Sequence, residues 1–138
     1  MRFWDSSALV PLCLEQPRSE HAKQLLREDK EIIVWWGSAV ECASAIARLH
    51  RDERLTSADE RMARSLLEEL SASWFEIQPG AGVREQAMRV MRLHPLRAAD
   101  TLQLAAALEW TGPSANGQFI TFDDRLRAAA EREGFLAP

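Results

Sequence analysis

Tyrosine is absent from this chain, and its three histidines, His21, His50 and His94, are not spaced as zinc ligands. Cysteine occurs twice, as Cys13 and Cys42, with no CxxC pair. One isolated disulfide would be an unusual framework for this length, so two reduced, partly buried thiols are expected. No glycine-rich phosphate loop or GxGxxG is present, which argues against nucleotide-binding enzymes of those kinds. No GxSxG elbow surrounds Ser6 or Ser7, so neither reads as a hydrolase nucleophile. No apolar run approaches the length of a membrane span. Asp5 falls where the apolar stretch of an export signal would begin, and no basic segment precedes it. The expectation is a soluble, cytoplasmic protein.

What is present reads as globular. The 138 residues are 46% hydrophobic and 28% charged, enough for one domain over 1–138 with its own core. The net charge of −4 argues mildly against a nucleic-acid binder. Carboxylates committed to a metal site would account for part of that acidity.

Apolar runs at 2–5, Ile32–Trp35, Trp74–Ile77 and 118–122 read as strands, and Phe135-Leu136 as a short final one. Between them the apolar spacing predicts helices: from Ser6 or Ser7 as cap to Leu14, then over 18–29, Ser38–Arg51, 56–72, 81–93, 98–111 and 124–133. Pro11 marks an irregularity, Gly134 a helix stop, and Ser114–Gly117 a loop. Strands alternating with helices predict an α/β fold: a central, mostly parallel sheet of four to five strands with helices on both faces.

Four carboxylates stand where such a sheet gathers ligands. Asp5 closes the first apolar run and Asp123 the last clear one, and open α/β sheets bind ligands outside their strands' carboxyl ends. Glu41 and Asp100 lie near the starts of intervening helices. A hard cation such as Mg2+ wants oxygen donors and keeps several waters, which suits this set. Ser7 and Thr121 are placed to hydrogen-bond the carboxylates or metal-bound water. Three of the acids also have a plainer role, and Asp5 is the least easily explained away. Glu41 completes a capping box with Ser38, Asp100 suits a helix's first turn, and Asp123 suits an N-cap, a job Asp124 could share. Trp35, Trp36, Trp74 and Trp110 suit base stacking or, more simply, packing.

Four stretches in order resemble the motifs of PIN-domain proteins, specifically VapC-type toxins. They are Phe3-Trp4-Asp5-Ser6-Ser7-Ala8-Leu9-Val10, Ser38-Ala39-Val40-Glu41-Cys42-Ala43-Ser44-Ala45, Leu96 through Ala107 around Asp100, and Ile120-Thr121-Phe122-Asp123-Asp124-Arg125-Leu126. The third is the most specific. The pair Trp35-Trp36 departs from the usual threonine-rich lead into the glutamate block. The resemblance spans essentially the whole chain and implies a PIN-like α/β/α sandwich. It implies an Mg2+-dependent endoribonuclease (Mn2+ substituting), the toxin of a type II toxin–antitoxin system. The implied metal ligands are Asp5, Glu41, Asp100 and Asp123, with Ser7 and Thr121 behind them. The implied partners are RNA, a cognate VapB-type antitoxin and a second copy of the chain. Arg48, Arg51, Arg54, Arg61 and Arg64 could meet RNA phosphates or antitoxin acids, or pair with Asp52, Glu53, Asp59 and Glu60 at the surface. The alternative is a catalytically silent PIN-like module that binds a protein or RNA.

Overall fold

The apolar runs of the sequence become one sheet in the computed structural model, which describes residues 1–113 and 116–138. Ser114 and Ala115, within the loop expected over 114–117, lie outside the described residues. The strands are β1 (Arg2–Trp4), β2 (Ile32–Trp35), β3 (Phe75–Ile77) and β4 (Phe119–Ile120). All pairings are parallel, in the order β3-β2-β1-β4. The connections hold helices α1 (Ser6–Cys13), α2 (Ser19–Glu28), α3 (Ser38–Arg51), α4 (Ser57–Ser71), α5 (Ala81–Leu93), α6 (Ala98–Thr111) and, after β4, α7 (Asp124–Arg132). No helix among the described residues is long and apolar enough to cross a membrane.

Period-two alternation divides the strand side chains between two cores. Phe3, Ile33, Trp35 and Phe119 point to the face covered by α5, α6 and α7. Trp4, Ile32, Val34 and Ile120 point to the face covered by α1 to α4. Right-handed crossovers account for this division. The steps β1 to β2 and β2 to β3 run the same way across the sheet and lay their helices on one face. The step β3 to β4 runs back past β1 and lays its helices on the other. The chain therefore reverses direction at β1, and the crevice between the carboxyl ends of β1 and β4 is the topological switch point.

The elements largely follow the pattern in the sequence. Pro11 does not interrupt α1, which runs through it to Cys13. The last strand is shorter than 118–122. The final apolar pair contributes an isolated parallel bridge, Gln118 to Leu136, and not a fifth strand. Gly134 stops α7 at φ 102°, with its N–H on the Glu131 carbonyl and that of Phe135 on the Ala130 carbonyl. This reciprocal pair satisfies the orphan carbonyls and turns Phe135 into the core.

Candidate functional site

Asp5 leaves β1 and becomes the N-cap of α1, accepting the Ser7 amide. This corrects the expectation that Ser6 or Ser7 caps the helix. A carboxylate one residue earlier takes that place, and the two hydroxyls are free to face acids. Ser7 Oγ donates to Asp5 Oδ2 at 2.9 Å and accepts the Phe122 amide at 2.8 Å. Thr121 Oγ1 also donates to Asp5 Oδ2 and accepts the Asp123 amide at 3.1 Å. Ser7 and Thr121 thus tie the end of β1 to the end of β4, through a carboxylate that is only 2% exposed.

Glu41 sits in the first turn of α3 but does not close a capping box. Gly37 is the N-cap, without a side-chain bond. Ser38 Oγ meets the Gln103 amide instead, at 3.1 to 3.3 Å. The Glu41 carboxylate turns inward, accepting Gln103 Nε2 at 3.2 Å and Ser6 Oγ at 3.0 Å. Ser6 Oγ also lies 3.4 Å from Asp5 Oδ1. Its one proton serves one carboxylate at a time.

Asp100 rides the first turn of α6, where the helix dipole favours an acid. Asp123 caps α7, its Oδ1 accepting the Leu126 amide at 2.8 Å. The two share a recess of about 470 Å³ with Pro95, Arg97, Phe122, Asp124 and Arg125. Asp124 is exposed in the first turn of α7. The structure therefore brings acids from both faces of the sheet to the switch point, Glu41 from one and Asp100 from the other.

The electrostatics join all four. Burial pushes the Asp5 carboxyl above its ordinary range, against the lowering by Thr121 and Ser7, and the Asp100 charge adds to the rise. Burial raises Glu41 too, opposed by Gln103 and Ser6 and reinforced by Asp5 and Asp100. Asp100 is raised by burial and by the Asp123 charge, with Arg97 and Arg125 pulling the other way. None of the four acids makes a salt bridge among the described residues. Such a set attracts a cation. The donors are all oxygens, the chemistry of a hard divalent ion. Among the described residues, no three His, Cys, Asp or Glu side chains form a ready-made ligand cage. Mg2+ commonly takes one or two carboxylates and completes its shell with water and substrate phosphate, so the donor set fits that ion without such a cage.

Two residues of this network carried no assignment from sequence. Gln103 is an amide buried among Leu102, Leu104 and Ala105 to Ala107, one turn after Asp100. A lone amide in so apolar a run is the signal that would have found it, since buried amides need partners. Arg127 donates to the Thr121 carbonyl at 2.6 Å and the Ala137 carbonyl at 2.7 Å, anchoring the β4 end. Nothing in the sequence pattern marks it.

The remaining candidates divide. Trp35 and Trp74 pack in the cores, whereas Trp36 is half exposed. Arg64 pairs with Glu60 at 3.4 Å. Among the described residues Arg48 makes no salt bridge, and it lines a groove of about 600 Å³ with Ser6, Ser7 and Glu41. Cys13 and Cys42 are free and buried. Burial raises the Cys13 thiol to about 11 and pushes Cys42 up as well. Both thiols are inert at neutral pH.

A family model described as the PIN domain matches residues 2–132. No curated protein matches the sequence significantly. Among solved structures, VapC20 of Mycobacterium tuberculosis is described as a toxin that cleaves the sarcin-ricin loop. It is 19% identical, with 99% of this chain and 97% of that one covered, at a TM-score of 0.71. FitAcB from Neisseria gonorrhoeae is 15% identical over 99% and 96%, at 0.67. A toxin–antitoxin complex from Klebsiella pneumoniae is 19% identical over 93% and 91%, at 0.63. At these identities the likeness is one of fold.

Proposed function

The chain belongs to the PIN domain family, and from that premise we propose that it is a divalent-metal-dependent endoribonuclease, the toxin of a type II toxin–antitoxin module. The observation that carries the reading is the convergence of Asp5, Glu41, Asp100 and Asp123 at the switch point, repelling one another and, among the described residues, without salt bridges. These four would hold Mg2+, with Mn2+ able to substitute. A bound divalent ion supplies an attacking water of lowered pKa and neutralises charge on the phosphate oxygens. The chain's own residues fix the ligands. Ser7 and Thr121 orient Asp5, Gln103 and Ser6 orient Glu41, and the α7 N-terminus orients Asp123. No side chain is required as a nucleophile.

RNA is the substrate in this reading, and the Mycobacterium tuberculosis toxin, described as cleaving the sarcin-ricin loop, supports it. A cognate VapB-type antitoxin and a homodimer complete it. The Klebsiella pneumoniae relative, described as a toxin–antitoxin complex, supports the first of these. Arg48, unpaired among the described residues and lining one groove with Glu41, suits an acidic antitoxin segment or an RNA phosphate.

The test is cleavage of labelled RNA by the purified chain with Mg2+ or Mn2+ and with chelator. Cleavage that needs the ion and disappears in Asp100→Asn is the expected result. Activity that persists in chelator or in that variant overturns the reading. The alternative is a catalytically silent PIN-like module that binds a partner protein or RNA. A Mn2+ titration separates them: saturable binding lost in Asp5→Asn belongs to the enzyme, and no binding to the silent module.

A further inference from the structure

Asp123 is the one exposed acid of the four, so burial does not hold it. The β4 ladder ends at Ile120, and the turn that carries Asp123 onward is held by side chains. Ser7 accepts its Phe122 amide, Thr121 accepts its Asp123 amide, and Arg127 donates to its Thr121 carbonyl. The remaining attachment is the half-buried Phe122 ring, which packs on the core beneath α1 to α4. From outside, the start of α2 closes over that ring. The Arg18 guanidinium carbon is 5.2 Å from its centroid, and the His21 ring stacks on it at 5.5 Å and 30°. Among the described residues neither Arg18 nor His21 makes a salt bridge. The corner they stand on is braced by Ser19, fully buried, whose hydroxyl donates to the Leu14 carbonyl at 3.0 Å and accepts the Gln16 amide at 2.8 Å.

The Asp123 charge repels Asp100 across the recess they share. With no cation between them, that repulsion pushes an exposed acid on a short turn outward. A grip on the adjacent residue opposes the movement. We propose that Phe122, clamped between the core and the Arg18 and His21 side chains, is a positioning residue for Asp123. The clamp fixes the turn between β4 and α7, so that the carboxylate already faces Asp100 when a cation arrives. Ligands held in place beforehand bind more tightly, because less ordering is left to do on binding. This rests on the metal-site reading above and goes beyond it, making α2, which supplies no ligand, part of what sets the affinity of the site. The sign of the effect is diagnostic. Arg18 carries the same charge as the cation, so by electrostatics alone its loss would tighten metal binding. Loss of a clamp weakens it.

The test titrates the purified chain with Mn2+, followed by electron paramagnetic resonance, with a thermal melt and RNA cleavage measured beside it. Arg18→Gln combined with His21→Gln removes both outer contacts at exposed positions that touch none of the four acids. It is expected to bind Mn2+ about tenfold more weakly, about threefold from each contact. Its cleavage should recover at saturating Mn2+, since every ligand is still present. Arg18→Lys keeps a cation over the ring and should stay within about twofold of the wild type. Phe122→Ala removes the clamp from the inside and should weaken binding about 10- to 100-fold. Where that variant fails to fold, the double variant carries the test. Unchanged or tighter Mn2+ binding in the double variant, whatever its melting temperature, overturns the clamp and leaves the metal site standing. A tenfold loss of affinity in a chain that binds Mn2+ but cuts no RNA sustains the clamp and removes the nuclease. A wild-type chain that binds no Mn2+ overturns the metal site and the clamp together.

Discussion

Asp5 and Glu133 are both carboxylates held with little exposure at a helix end, yet their surroundings are opposite in sign. Glu133 closes the C-terminus of α7, where the dipole disfavours an acid. Arg89 answers it with two bonds, at 2.6 and 3.2 Å, and His94 with one at 2.7 Å. Burial pushes Glu133 up, but Arg89 and His94 outweigh it and hold the carboxyl below its ordinary value. Asp5 has hydroxyls and an amide for partners, and other acids for neighbours. One site spends its charges on stability, clasping α5 to α7. The other leaves acids uncompensated, which costs stability and suits a cation that arrives from solution. That contrast is what the proposed function rests on: a cation-seeking crevice at the switch point, against a self-neutralised clasp at Glu133.

Mutation should break the contrast first at the acids. Asp5→Asn or Asp100→Asn is expected to lower metal-dependent RNA cleavage by about a thousandfold, several kcal/mol being what a bound ion supplies. Circular dichroism should show the fold intact, and cleavage kinetics read the loss. Full activity in either variant would unseat that ligand.

Loosening the groups behind the acids should cost less. Thr121→Val or Gln103→Ala is expected to weaken Mn2+ binding about 10- to 100-fold, because the ligand stays but its orientation does not. Calorimetric titration measures this, and unchanged affinity removes the positioning role.

On the other side of the comparison, Glu133→Gln should leave cleavage untouched and destabilise the chain by about 1–2 kcal/mol, from lost charge-assisted hydrogen bonds. Denaturant unfolding reads that change. A loss of activity without a loss of stability would place Glu133 in the wrong group.

The smallest effect is on pH, and the two regions should respond with opposite signs. Glu133, lowered when folded, contributes stability above the ordinary carboxylate pKa of about 4, and this is lost as pH falls through its folded value. Asp5, Glu41 and Asp100 are raised, so the folded state binds protons first. Without metal, their contribution to stability rises as pH falls from their folded values towards about 4. Metal-free melts of wild type and Asp100→Asn across that window separate the two. The variant should gain less on acidification, and added Mg2+ should abolish the wild-type gain.

Much of this was readable in the chain. The β/α alternation, most helix bounds and the strand-end positions of Asp5 and Asp123 follow from periodicity and caps, because local backbone preference and apolar spacing are written residue by residue. The helices at Ser38–Arg51, 81–93 and 98–111 stand where their patterns put them. Where neighbours decide, the pattern was not enough. Ser38 and Glu41 have the spacing of a capping box, yet Gln103, distant in sequence, takes both side chains. Ser6 and Ser7 suit a cap, yet Asp5 holds it.

The sequence by itself determined which residues are acidic, which segments are apolar at period two or 3.6, and hence an α/β chain with carboxylates at its strand ends. Only the tertiary structure decided that β4 lies beside β1, that Glu41 and Asp100 enter from opposite faces, and that Gln103, Ser6 and Thr121 hold the acids in place. The physical reason is range. Propensity and capping act within a turn or two of the chain, whereas strand order, burial and mutual charge arise between segments up to 116 residues apart, and they exist only once the sheet has closed.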